Sequence, residues 1–163
     1  MVTVRPAHNG DVQAILDIYN HAILHTTAVY DYVPHTLEMR QQWFDAKKQQ
    51  GFPVFVAEEN NEVVGFSSIG PFRAWAAYKF TVENAIYVRN NMQGKGIGKL
   101  LMQPLIATSR ELGFHTIVAG IDADNEVSLR LHRNFGFEEV AHFKQVGWKF
   151  DKWLNLKFMQ LIL

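Results

Sequence analysis

Residues 85–101, AIYVRNNMQGKGIGKLL, join an apolar strand-like run to a helix-like one through a loop with three glycines and two lysines in seven residues. That junction commits the chain to a strand feeding directly into a helix, and so to a sheet with helices packed on it. It also makes a place for an anion. The first N–H groups of a helix have no internal partners, and the helix dipole is positive there. Glycine lets the backbone approach phosphate oxygens with no Cβ in the way, and Lys95 and Lys99 add charge. The same residues would equally serve as a tight strand-to-helix turn without a ligand. Two phosphate loops are excluded by spacing. A P-loop needs Gly-Lys followed by Ser or Thr, whereas Gly or Leu follows here, and Gly94-Lys95-Gly96-Ile97-Gly98 does not fit G-x-G-x-x-G.

The other segments fall around this junction. VTVRPA alternates as a first strand, and Asp11 is placed to cap a helix with Val12, Ile15, Leu16, Ile18 and Tyr19 at helical spacing. HTTAVYDYVPHT is a loop, and Thr36 can cap a second helix to about Gln50. Two apolar runs flank Glu59-Asn60-Asn61-Glu62, which predicts a β-hairpin turning at the Asn pair. RAWAAYKF is a loop and TVENAIYV a strand ending at Val88. The helix after the glycine loop runs to about Leu112, with Gly113 placed to end it. HTIVAGI is a strand, NEVSLRLHRNFG a short helix closed by Gly136, and FEEVAHF and WLNLKFMQLIL are two final strands. The order β-α-α-β-β-β-α-β-α-β-β predicts an α+β (mixed α/β) domain around one sheet.

A chain of 163 residues suits a single domain, 1–163, with a full core. Lys+Arg equals Asp+Glu, so no net field favours nucleic acid or an anionic membrane. No stretch approaches the ~18 apolar residues of a membrane span, and MVTVRPAHNGD lacks the apolar core of a secretory signal. The absence of cysteine excludes disulfides, thiolate metal sites and a cysteine nucleophile, and fits a cytoplasmic protein. His21 and His25 have a metal-compatible i, i+4 spacing. No Glu follows His21 as in H-E-x-x-H and no third ligand is evident, so no metal is expected.

Gln93-Gly94-Lys95-Gly96-Ile97-Gly98 does match Q/R-x-x-G-x-G/A directly after an apolar strand. Downstream come Asn125, Ser128, Leu131, His132 and Phe135-Gly136-Phe137. Together these resemble the acetyl-CoA loop and the N-x-x-A-x-x-[LF]-[YH]-x-x-x-GF helix of the GNAT superfamily of N-acetyltransferases. PFRAWAAYKFTVENAIYV, RLHRNFGF and QVGWKFDKWLNLKFMQLIL are similar to the phosphinothricin N-acetyltransferase group, and closer still to members acting on methionine sulfone and methionine sulfoximine. The similarity spans nearly the whole chain and is weakest over residues 37–51.

The resemblance implies a GNAT-like central twisted sheet, acetyl-CoA as co-substrate, an amino-acid acceptor and a detoxifying role. It implies that Ile86, Tyr87 and Val88 line the pantetheine arm. Gly94, Lys95, Gly96, Ile97, Gly98 and Lys99 would hold the pyrophosphate, Asn134 would touch CoA, and an N–H near Tyr87 or Val88 would meet the oxyanion at a splay between two strands. Glu83 is the implied base; read alone it is more often a Glu on a solvated sheet face, and the resemblance reverses that reading. His132 stands where many members carry a tyrosine that protonates the leaving thiolate, and is either that donor or a packed helix histidine. Arg73, in Arg73-Ala74-Trp75, is the implied carboxylate anchor, with Phe72, Trp75 and Tyr78 as apolar walls and Glu83, Asn84, Ala85 and Asn125 near the acceptor. WLNLKFMQLIL is apolar on both faces, as a strand covered on both sides would be. An exposed apolar edge invites pairing and the group forms dimers, so a homodimer is expected. Two other readings compete: an acetyltransferase for protein N-termini, and a CoA-binding module without turnover.

Overall fold

Asn60 and Asn61 both hold positive φ, 52° and 63°, and turn the chain tightly between strands β2 (Val54–Glu59) and β3 (Glu62–Pro71). The computed structural model describes all residues, 1–163. Around the hairpin lie β1 (Thr3–Pro6), β4 (Thr81–Val88), β5 (Thr116–Asp122), β6 (Glu138–Lys149) and β7 (Lys152–Ile162). The helices are α1 (Val12–His25), α2 (Leu37–Gln50), α3 (Ile97–Glu111) and α4 (Glu126–Asn134). The order of strands and helices along the chain is the one its periodicity predicts.

All seven strands form one sheet, ordered β1-β2-β3-β4-β5-β7-β6. Every neighbouring pair is antiparallel except β4 and β5. That parallel pair is brief. It joins Thr81–Glu83 to Thr116–Val118, and no β4 residue beyond Glu83 pairs with β5. The two strands part there while β4 continues to Val88.

Strand alternation sorts the core into two layers. Val82 and Ile86 pack toward α3 with Met102, Leu105, Ile117, Ala119 and Leu129. On the opposite face, Phe66 packs with Val12, Ile15, Ile18 and Phe44 from α1 and α2, and Tyr87 lies against that cluster. Burial of the fully enclosed Ile, Leu and Phe side chains contributes about 1.5–3 kcal/mol each.

Three details differ from the sequence reading. Asp11 does not cap α1 with its side chain. Its carboxylate instead accepts from the His8 N–H (2.8 Å) and from Arg5 (2.8 and 3.0 Å), because a short 3-10 turn at Asn9–Asp11 precedes the helix. β6 runs on past FEEVAHF to Lys149, carried through an irregularity between Phe143 and Gly147 where Gln145 takes φ 56°. Finally, β7 is no edge. It lies between β5 and β6, which explains why it is apolar on both faces and leaves β6 as the terminal strand.

Candidate active site

The glycine loop enters α3 with Gly94 at φ 78° and Gly96 at φ 79°, a left-handed geometry that disfavours other residues. The N–H groups from Gln93 to Gly98 donate to no backbone carbonyl. They face a groove of about 1150 Å³ that runs between α1, the end of β4 and α4. Ile86, Tyr87, Val88, Gly94, Gly96, Ile97, Gly98, Lys99 and Asn134 all line it, as does Asn125. Lys95 does not, and its ammonium lies 3.3 Å from Met92 Sδ. A run of unsatisfied N–H groups at a helix N-terminus, with lysine beside it, suits a pyrophosphate. The parted end of β4 offers unpaired backbone to an extended amide chain. These residues fit acetyl-CoA.

Sequence reasoning missed the other wall. Ala14, Ile18, His21 and Ala22 of α1 and Thr26–Ala28 beyond it also line the groove. The apolar pattern of α1 signals a helix but not which residues border a ligand.

Glu83 sits at the fork, the last β4 residue paired with β5. It shares a face with Ala85 and Tyr87, toward the α1 and α2 side. A Cβ on Gly120 of β5 would lie 3.3 Å from Glu83 Oε1 and 3.4 Å from the Phe158 ring, so glycine there leaves room for the carboxylate. Burial pushes the Glu83 carboxyl above the usual range, and the charge of Arg73 opposes the shift.

Arg73 is exposed, stacked over the Phe72 ring at 4.4 Å and donating to the Phe72 carbonyl at 3.2 Å. Phe72 and Tyr78 meet edge to face at 5.6 Å, and Phe72 also meets Phe158 at 6.4 Å. Ala74 is exposed and Trp75 is 71% exposed, so Trp75 walls nothing within one chain.

Asn84 points to the other face of the sheet, away from Glu83. Its amide lies 3.2 Å from His132 Nε2 and 3.7 Å from Met102 Sδ. Asn125 caps α4, its Oδ1 accepting from the Ser128 N–H at 3.2 Å. Alternation within TVENAIYV separates Asn84 from Glu83 and Ala85, and the capping bond holds Asn125 on the groove side. His132 is 4% exposed, and burial holds its imidazole below its ordinary pKa.

Three further features escaped the sequence. Tyr30, in the α1–α2 connection, places its hydroxyl 2.9 Å from both Asp122 Oδ2 and the Asn155 carbonyl. Tyr32 bonds the Trp148 carbonyl, and Lys149 donates to the Val29 carbonyl at 2.7 Å. These straps lay the connection over β5, β6 and β7, where no helix covers the Glu83 face. Arg40 is 3% exposed, with its guanidinium 3.9 Å from the Tyr19 ring centroid and 4.5 Å from that of Trp43. It donates to His35 Nδ1 at 3.1 Å and its Nε has no partner. Seven residues along α2, Lys47 donates to the Ile69 carbonyl at 2.6 Å. Arg40 and Lys47 stand with Phe44 on one helix face. Cations there look like a solvated stripe until the sheet covers them.

The profile of the acetyltransferase (GNAT) family matches residues 14–137. The chain belongs to that family. It is 44% identical to the L-methionine sulfoximine/L-methionine sulfone acetyltransferase of Salmonella typhimurium, over 99% of this chain and 95% of that one. It is 34% identical to the phosphinothricin N-acetyltransferase of Streptomyces coelicolor, over 98% and 95%. Among solved structures, a Salmonella typhimurium acetyltransferase with its cofactor acetyl-CoA superposes with a TM-score of 0.98 at 44% identity, covering 99% of this chain and 94% of that one. A ribosomal-protein-alanine N-acetyltransferase from Brucella melitensis gives a TM-score of 0.97 at 45% identity, covering 99% of each. No group of three or more His, Cys, Asp or Glu is placed to share a metal, and no helix is long and apolar enough to cross a membrane.

Proposed function

We propose that this GNAT enzyme acetylates the α-amine of a small amino-acid-like acceptor of the methionine sulfone, methionine sulfoximine or phosphinothricin type. The observation that carries the reading is Glu83, a half-buried carboxylate at the fork of β4 and β5. One side of that fork opens on the groove and the other on the face spanned by the Tyr30 strap. The names of the relatives supply the acceptor class.

Acetyl-CoA supplies an activated acetyl thioester. Ile86, Tyr87 and Val88 hold its amide arm along β4, the glycine loop holds its pyrophosphate, and Asn134 borders the groove near it. Glu83 accepts a proton from the acceptor ammonium, directly or through a water, and its burial strengthens it as a base. A backbone N–H near Tyr87 or Val88 donates to the carbonyl oxygen as the C–N bond forms and that oxygen gains charge. On collapse the C–S bond breaks and CoA leaves as a thiolate, which takes up a proton from water. Arg73 swings from Phe72 to pair with the acceptor carboxylate, with Ala74, Trp75 and Ala85 around it.

The Brucella structure favours a second reading, a protein N-terminus as acceptor. A peptide carries no free α-carboxylate beside its amine, which leaves Arg73 without a partner. The deciding experiment is thiol release from acetyl-CoA with methionine sulfone, methionine sulfoximine, phosphinothricin and an Ala-initiated peptide. Turnover of the amino acids supports the proposal, and turnover of the peptide alone replaces it. Release with none of them returns the chain to a CoA-binding module.

The biological role we assign is detoxification in the cytoplasm, and the assembly a homodimer. Its support is the terminal strand β6, where Val140, Phe143, Val146 and Trp148 are exposed, with Phe150 and Trp153 beside them. Sedimentation at micromolar concentration tests it, and a monomer mass removes the dimer.

A further inference from the structure

The fork between β4 and β5 requires something to hold it. Parallel pairing would otherwise continue from Glu83 along both strands, since β4 extends five residues past the last pair and β5 four. Asn84 is the first β4 residue beyond that pair. Its side chain lies on the α4 side, 3.2 Å from His132 Nε2.

The protons of this contact follow from its partners. His132 Nδ1 lies 2.7 Å from the Ser128 carbonyl, which only accepts, so Nδ1 carries the hydrogen. In a neutral ring Nε2 is then a lone pair, and the Asn84 amide donates to it. Both ring nitrogens are engaged within the protein, and His132 is not among the residues lining the groove. Phe137 meets the ring edge to face at 4.9 Å and fixes its plane. Ser128, whose carbonyl accepts the ring hydrogen, does line the groove.

From this geometry we propose that His132 is a positioning residue that tethers Asn84 to α4 and thereby keeps the fork open for the amide arm of acetyl-CoA. It is not the acid for the leaving thiolate. The tether rests on the reading of the groove as the acetyl-CoA site and assigns Asn84 and His132 to its frame. Tied to α4 at the first residue past the last pair, Asn84 is fixed where β4 leaves β5. Without the tether the strands are free to close, and the arm must reopen them on binding.

The test is a set of variants assayed with acetyl-CoA and methionine sulfone. H132Q puts an amide oxygen near the place of Nε2 and has no titratable proton. It should keep kcat within about threefold, whereas an acid role demands a loss of roughly 10²–10⁴. N84A should raise the KM for acetyl-CoA about three- to tenfold, as losing one hydrogen bond would, with kcat little changed. The double variant N84A/H132A should be no worse in KM than H132A alone, because the two side chains act as one unit. Calorimetric binding of acetyl-CoA to the parent establishes the groove separately, and thermal melts of each variant establish its fold. A large kcat loss in folded H132Q overturns the tether in favour of an acid. A parental KM in N84A, or additive effects in the double variant, overturns it as well.

Discussion

The groove at the end of β4 and the surroundings of Glu83 differ in how they are built. In the groove between α1 and α4, the end of β4 and the glycine loop present mainly backbone: parted strand edges, left-handed glycines and free N–H groups. Around Glu83, side chains gather from far apart: Phe158 beside it over Gly120, Phe72 on Phe158, Arg73 on Phe72, and the Tyr30 strap on Asp122 of the same strand as Gly120. Backbone recognition depends on a short contiguous pattern and tolerates most neighbours. A side-chain chamber depends on which distant segments the sheet order brings together. It should therefore break one residue at a time, while the groove breaks where its backbone geometry is denied.

Glu83→Gln gives the largest effect expected of that contrast. Turnover should fall roughly 10²–10⁴-fold while acetyl-CoA affinity stays near parental, since Glu83 is proposed as the base and does not line the groove. In the parent, kcat/KM should rise with pH through a Glu83 pKa displaced above the ordinary carboxylate value, because only the ionised form accepts the proton. Matched affinity and rate losses would mean that the two regions are not separable.

Gly96→Val attacks the groove instead. At φ 79° a β-branched residue is strained, and the N–H array should lose its shape. At a hundred times its Kd, acetyl-CoA should stabilise the parent by about 2.7 kcal/mol. The variant should lose most of that thermal shift, and an undiminished shift would remove the loop from the cofactor site.

Arg73→Ala sharpens the chamber side. The parent should prefer methionine sulfone over its carboxamide by about ten- to a hundredfold in kcat/KM, the value of one charge-assisted contact of about 1.5–3 kcal/mol. The variant should erase most of the preference. Equal rates for both compounds in the parent would make a peptide or simple amine the better acceptor.

The smallest effect lies beneath the chamber. Burial, with the Arg40 charge adding to it, lowers the Lys47 pKa from 10.5 to about 8. Between those values the unfolded chain holds a proton that the folded chain has released, so stability from this group rises with pH across that window and is flat below it. After allowance for its partial exposure the rise is about 1–2 kcal/mol. Melting temperatures from pH 7.5 to 10 should show it in the parent relative to Lys47→Met, and identical pH slopes would mean that Lys47 is not desolvated.

The same division explains what was legible beforehand. Q-G-K-G-I-G after AIYV exposes the groove in sequence because neighbouring residues build it. Glu83 stands out as a charge within a strand, yet its setting above Gly120 and beside Phe158 is set by β5 and β7, at least 37 residues away. Asn84 next to it looks equally available, and only the alternation of an actual strand turns it to His132. Asn125 sits in a matching motif, but its side-chain oxygen is engaged in capping α4. Arg40 and Lys47 show why polar residues on a helix mislead. Their burial depends on the sheet beneath α2, and nothing local reports it.

By itself, the sequence determined the element order, the Asn60-Asn61 turn, the glycine loop at the start of α3 and the family, all properties of contiguous residues and their backbone preferences. The tertiary structure alone decided that β7 inserts between β5 and β6, that β4 and β5 part after Glu83, and that Tyr30 straps the open face. It also decided which nitrogen of His132 carries its hydrogen. Those outcomes depend on pairings between segments many residues apart, whose free energy exists only once the sheet has assembled.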